Sequence, residues 1–316
     1  MADRKRLILL LACLGNFMVV LDVAVVNVAL PAIQADLGFS QVGLQWIVNA
    51  YTLTYAGFLL LGGRTADLFG RRRMFLIALG LFTVASLVCG LAPTAATLIA
   101  ARAVQGLGAA ILAPVTLTIV TITFTQPRER AYALGWWGAS LASGGAAGVL
   151  IGGILTDLLS WRWIFLINLP VGILGILAAR ALLTESRAES RSRSLDVPGA
   201  LTITLGLTSL VYGVVNSEVH GWTSPWTWVP LAAAGVLVAS FAYIELRVAR
   251  APIAPLRIFR SRALTAANVA MFCVADRCSP CGTSCRCTCR SCWARARSSR
   301  GCASSRRRWP SSWPPR

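Results

Sequence analysis

Two ionisable side chains lie inside long apolar stretches, and any chemistry in this sequence starts with them. Asp22 falls within the run Leu7 to Leu30, and Arg102 within the run Thr94 to Phe124. A charge in hydrocarbon costs roughly 2.5–3.5 kcal/mol or more, so each needs a partner or a task. Asp22 stands eight residues before Leu30, and Arg102 eight residues after Thr94. At about 1.5 Å per helical residue, both lie about 12 Å from the same membrane face if the two helices run in opposite directions. If those helices are neighbours, carboxylate and guanidinium can meet. Two readings follow. One is a structural ion pair that offsets desolvation. The other is a switch, in which a proton on the carboxylate breaks the pair and couples protonation to helix rearrangement or to a cationic substrate. Asn27 and Gln105 are placed to extend such a network, or to serve as ordinary interhelical glue.

The elements that must carry these residues are legible in the composition. Of 316 residues, 56% are apolar and 13% charged, with a mean hydropathy of +0.66. That excludes a soluble globular domain, which carries roughly a quarter charged residues. A bilayer core of about 30 Å takes roughly 20 apolar residues as helix, because backbone polar groups must pair within their own segment. Such runs occur at Leu7 to Leu30, Val42 to Gly63, Met74 to Ala92, Thr94 to Phe124, Ala131 to Leu155, Trp163 to Leu183, Val197 to Val215 and Trp228 to Leu246. The expected fold is an all-α integral membrane protein with eight spans. A ninth run from Leu264 stops at Val274, too short to cross.

Basic residues favour the cytoplasmic side of short loops. The N-terminus (Arg4, Lys5, Arg6), the second-to-third connection (Arg64, Arg71, Arg72, Arg73) and the fourth-to-fifth (Arg128, Arg130) fall on one side. So do Arg180, Arg187, Arg191 and Arg193, and the arginines from Arg247 to Arg262. The opposite loops hold only Arg162. The N-terminus is therefore expected in the cytoplasm. A formal charge of +18 then reports topology, not a nucleic-acid partner. A secretory signal fits the first run poorly, because the run exceeds the usual 7–15 apolar residues and further spans follow.

Small residues recur at steps of four. Arg102, Gly106, Ala110 and Pro114 form one row; Gly144, Gly148 and Gly152, with Gly145 and Gly153 beside them, form a ridge on the fifth helix. Such ridges suit close approach of a neighbouring backbone, whether static or moving.

The second-to-third connection reads GGRTADLFGRRR from Gly62 to Arg73. It resembles the signature loop of the major facilitator superfamily at Gly63, Ala66, Asp67, Gly70, Arg71 and Arg72, with Thr65 and Leu68 departing from it. LDVAVVNVALP from Leu21, RAVQGLGAA from Arg102 and WRWIFLINLPVG from Trp161 resemble motifs of the fourteen-helix drug:proton antiporter branch. One departure is Val149, where the fifth-helix antiporter motif has proline; antiport and uniport both stay open. The resemblance, over about residues 7–274, implies a six-helix bundle of two inverted repeats at 1–185, two additional helices within 186–262, and a second bundle begun at 263–275. It implies proton-coupled efflux of amphipathic drugs or metabolites across the plasma membrane, with the bilayer, a proton and a small molecule as partners. Asp22 and Arg102 would couple, and Gly63, Asp67, Gly70, Arg71 and Arg72 would form the cytoplasmic gate.

Residues 276–316 contain ten Arg and seven Cys, and no Leu, Ile, Val, Met, Phe or Tyr after Asp276. The expectation is an out-of-frame or disordered tail, with the chain an inactive fragment as the alternative function. A zinc module is the weaker reading, because Cys278 and Cys281 have no second well-spaced pair and no His beside them. No cofactor or metal is expected. An enzyme is not expected either, since His220 is the only histidine and the spans hold no nucleophile and base constellation.

Overall fold

A computed structural model describes residues 2–186 and 197–248, together with residues 265, 266 and 268. The helices, in order, are α1 (Ala2–Leu37), α2 (Gln41–Phe69), α3 (Arg71–Gly90), α4 (Ala95–Thr123) and α5 (Pro127–Leu158). They continue with α6 (Trp163–Leu166), α7 (Asn168–Leu182), α8 (Val197–His220) and α9 (Pro225–Tyr243), the last running into a π-helical turn over Ile244–Val248. The described residues contain no strand. The eight expected spans are all helical, α6 and α7 together forming the sixth. Among the described residues seven helices are long and apolar enough to cross a bilayer, and α8 contributes the apolar stretch Leu201–Ser217. The sixth span is interrupted at Ile167 because Pro170 has no N–H to offer Leu166, its acceptor one turn back.

The described residues 2–186 and 197–248 belong to one compact unit. The expected broken ninth helix lies almost wholly outside the described residues, and the Cys-rich tail and the connection 187–196 lie wholly outside them.

Helix ends are closed by side chains, as they must be where water is scarce. Ser40 Oγ accepts from Gly43 N–H, and Thr94 Oγ1 from Thr97 N–H. At the far end of α3, Arg162 donates to the carbonyls of Gly90 (3.3 Å) and Ala92 (2.8 Å). At the near end of α7, Arg72 donates to Arg180 O (3.0 Å) and Arg4 to Leu182 O (3.0 Å). Guanidinium groups suit this task, because terminal carbonyls carry the negative end of the helix dipole. The lone cation of the poor side, Arg162, is thus a cap for α3 and also reaches Asp36 at 3.4 Å.

Three buried apolar clusters fill the bundle among the described residues, the smallest being Leu9, Ala12, Val120, Phe124 and Ala133, and the two larger ones flank the polar residues. One holds Leu11, Met18, Phe75, Phe82, Leu112 and Ile119; the other holds Val25, Ile33, Ile47, Leu98, Trp161 and Phe165. Along α1, α3 and α4 the two clusters fall on opposite sides of Asp22, Ser86 and Arg102, so the polar residues occupy the seam. Large apolar side chains exposed on α5, α8 and α9, such as Leu150, Leu210 and Val229, present the hydrocarbon-facing surface.

Close helix contacts follow the small residues. A Cβ on Gly148 would stand 2.9 Å from Leu21 O, and one on Gly144 would stand 3.0 Å from Phe17 O, so the fifth-helix ridge rides on α1. Gly106 packs against Tyr51 O and Thr54 of α2, and Gly62 of α2 against Ala110 O. That carbonyl is free to face Gly62 because Pro114, four residues on, cannot donate to it. Gly153 and Gly145 are a correction to the expected ridge: nothing lies within 4 Å of a Cβ on either, because both point away from α1.

Gly148→Leu is therefore expected to lower the thermal midpoint of the purified protein, at a cost of about 1–3 kcal/mol from overpacking or more. Gly153→Leu should leave the midpoint nearly unchanged. Equal effects of the two in a melting experiment would contradict this packing.

Candidate functional site

Asp22 and Arg102 meet. Arg102 Nη1 donates to Asp22 Oδ2 at 2.5 Å, with the side chains 1% and 0% exposed for Arg102 and Asp22. Gln105 Nε2 donates to Asp22 Oδ1 at 2.7 Å and Asn168 Nδ2 to the same oxygen at 3.2 Å. The carboxylate is thus surrounded by three donors from α4 and α7. Arg102 is held in turn by Gln105 Oε1 (2.7 Å) and by the Ile47 carbonyl of α2 at 3.2 Å. Its guanidinium lies 4.2 Å from the centre of the Tyr51 ring and 5.8 Å from that of Phe165. Ser86 on α3 accepts from Gln105 (2.8 Å) and from Asn168 (3.4 Å), and donates to Phe82 O. Five helices, α1, α2, α3, α4 and α7, therefore share one polar node.

Each helix brings its part for a local reason. Gln105 lies three residues after Arg102, one turn along the same face of α4, so both reach α1 together. Asn168 opens α7 beyond the break before Pro170, which puts its amide at the depth of Asp22. Tyr51 covers the guanidinium as a cation–π partner. A lone charge at this depth would be severely penalised; a charge pair whose remaining polar atoms also find partners is tolerated.

The node also constrains chemistry. Every group touching Asp22 donates an N–H to it, so a proton on either oxygen would face a donor instead of an acceptor.

Three of the four residues expected at the coupling site, Asp22, Arg102 and Gln105, are brought together. Asn27 is a correction: it is exposed, and its amide donates to Val23 O on its own helix at 2.9 Å. Five positions beyond Asp22 is too far round the helix to share its face. Sequence reasoning missed Ser86, Asn168, Tyr51 and the Ile47 carbonyl. Asn168 carried a signal, as an amide inside a span; a backbone carbonyl carries none.

The signature loop forms a second constellation. Gly70 alone separates α2 from α3, at φ 105°, a conformation that favours glycine. A Cβ there would also run into the Glu185 carboxylate. Arg71 Nη2 pairs with Asp67 at 3.1 Å. Glu185, beyond α7, accepts from Arg73 N–H at 3.2 Å, and Arg71 N–H donates to Ser186 O at 3.0 Å. An acid at the first turn of α3 satisfies otherwise orphaned amides. Arg72 reaches Arg180 O, as above, and a Cβ on Gly63 would stand 3.5 Å from the Pro114 Cβ. The loop is therefore clasped to the end of α7 by Glu185 and Ser186, neither of which the sequence marked.

The sequence profile described as the Major Facilitator Superfamily matches residues 12–275. The cephamycin export protein CmcT of Amycolatopsis lactamdurans is 46% identical over 83% of this chain and 54% of its own length. The puromycin resistance protein pur8 of Streptomyces alboniger is 47% identical over 74% of this chain and 46% of its own length. This chain spans about half the length of the curated relatives it matches. A solved peptide transporter, POT in complex with alafosfalin, superposes with a TM-score of 0.53 at 15% identity, over 75% of this chain and 55% of that one. At that identity the likeness is one of fold.

The node predicts a coupled stability effect. Asp22→Asn should destabilise by about 3–5 kcal/mol, because it strands the Arg102 charge, and Arg102→Gln alone should cost a similar amount. The double variant should cost clearly less than the sum of the two in a double-mutant cycle of unfolding. Additive costs would mean that the two charges do not interact.

Proposed function

This chain belongs to the Major Facilitator Superfamily and is a multi-pass membrane protein, and from that premise we propose that it serves proton-coupled export of amphipathic small molecules. The observation that carries the proposal is the donor-only environment of Asp22, buried at the meeting point of five helices. A proton reaching Asp22 removes the negative charge that gathers Arg102, Gln105 and Asn168, and so loosens α1 from α4 and α7. Arg102, no longer paired, then disfavours a second cation and favours release of a cationic substrate. Return of the pair on deprotonation restores the node. The equilibrium between the two arrangements shifts only by as much as the proton's affinity differs between them.

Substrate class is drawn from the relatives, whose names give cephamycin export and puromycin resistance. In this reading Asp67 and Arg71 act as the gate at the cytoplasmic end, with Gly63, Gly70 and Arg72 shaping the loop, and the ridge of Gly144, Gly148 and Gly152 lets α5 slide on α1. The membrane is the plasma membrane, with the N-terminus in the cytoplasm, supported by the bias of basic residues. A second reading, in which the chain inserts and folds without transporting, draws on its spanning about half the length of its relatives.

Proteoliposomes holding the 316-residue chain and a fluorescent cationic dye test the proposal. Transport above empty liposomes, driven by a pH gradient and lost in Asp22→Asn, is the expected result. Transport no greater than the empty control favours the second reading, and pH-driven transport that survives Asp22→Asn removes Asp22 from coupling. In the same assay Asp67→Asn should slow transport severalfold while shifting the thermal midpoint little, because a part-exposed ion pair contributes about 0–1 kcal/mol.

Orientation has its own check. In a variant whose ten native cysteines are replaced by serine, one cysteine introduced at the N-terminus should resist an impermeant maleimide in intact cells and react after lysis; labelling in intact cells would reverse the topology.

A further inference from the structure

At the end of the bundle that carries the N-terminus, α1, α3, α4 and the segment after α7 surround a half-open cavity of about 350 Å³. Arg4, Lys5, Arg71 and Arg72 line it, and among the described residues no carboxylate does. Its base is apolar, with Ile8 and Ile119 beneath the charges. Nearby acids are engaged elsewhere: Glu129 holds Lys5 at 3.0 Å and Asp67 holds Arg71 at 3.1 Å from outside the cavity, while Glu185 accepts backbone N–H groups. Arg4 and Arg72 donate to carbonyls, so among the described residues neither guanidinium has a carboxylate partner. The Nε atoms of Arg71 and Arg72 are buried without a hydrogen-bond partner, which leaves donors unused in residues that line the space.

We propose that this cavity binds a phosphate-bearing anion at the N-terminal end of the bundle, through Arg4, Lys5, Arg71 and Arg72. Guanidinium groups offer forked donors that match phosphate oxygens. Basic pockets between membrane helices at the headgroup level are suited to anionic headgroups. The volume lies near the lower end of small-ligand sites, roughly 300–1,000 Å³, which fits a headgroup or a free phosphate better than a drug. The anion would join α1 to the signature loop on α3, and so bridge the same elements that Arg4 and Arg72 already tie to α7. The inference does not depend on transport, and uses the orientation proposed above only to choose the leaflet.

Two measurements on the purified full chain distinguish the sources. Native mass spectrometry of protein released from bilayers mixing phosphatidylglycerol and phosphatidylcholine reads lipid preference. The thermal midpoint with added inorganic phosphate, against equal ionic strength of chloride, reads the soluble source. Phosphatidylglycerol retained over phosphatidylcholine assigns a lipid headgroup; stabilisation by phosphate without lipid preference assigns a soluble anion. In either case Arg4→Gln combined with Lys5→Gln should weaken binding about 30-fold, and Arg4→Lys should largely keep it. Wild-type protein that shows neither preference overturns the site without any variant, and so does binding that persists in the double Gln variant.

Discussion

The contact between Asp22 and Arg102 governs the rest of the bundle, because neither charge could stay where it is without the other. In hydrocarbon a carboxylate and a guanidinium attract strongly and are individually very costly. Once paired, their remaining oxygens and N–H groups must still be satisfied, and that second demand recruits Gln105, Asn168, Ser86 and the Ile47 carbonyl. The node therefore draws α2 and α7 to the pair carried by α1 and α4, and α3 through Ser86, which neither charge touches. It also sits where two apolar clusters meet, so neither cluster needs to close over an unsatisfied group.

A similar economy of satisfied groups operates at the helix ends. Arg162 closes the C-terminal end of α3, while Arg4 and Arg72 close the C-terminal end of α7. Glu185 does the opposite at the start of α3, where N–H groups are orphaned. Cations thus meet carbonyl ends and an acid meets an amide end, as the dipole of each helix requires. The consequence is mechanical: the loop around Gly70 is held by the segment that leaves α7, so the second and third helices and the end of the sixth span form one unit.

Small residues set the spacing that makes both arrangements possible. With Gly106 against Tyr51 O, α4 comes close enough to α2 for Arg102 to reach the Ile47 carbonyl. With Gly144 and Gly148 against the backbone of α1, α5 backs the helix that carries Asp22. Pro114 and Pro170 then use the absence of an N–H in two ways. One frees the Ala110 carbonyl to face Gly62, and the other breaks the sixth span beside Asn168.

Much of this was legible in the chain itself. Hydropathy and the length of a membrane-crossing helix place the spans, and the match in depth of Asp22 and Arg102 follows from a constant rise per residue. The signature loop, with Asp67, Gly70 and Arg71, is local in sequence, so its geometry was readable too. Periodicity also separates Gly148 from Gly153, though only contact with α1 says which face is the packed one. What the tertiary structure alone decided is which distant groups share a depth and a direction: Asn168 turning to Asp22, Glu185 reaching the start of α3, and Asn27 looking outward. Linear order carries hydrophobicity and helical phase, but the rotation of one helix against another is chosen by packing and by the need to satisfy every buried polar atom at once.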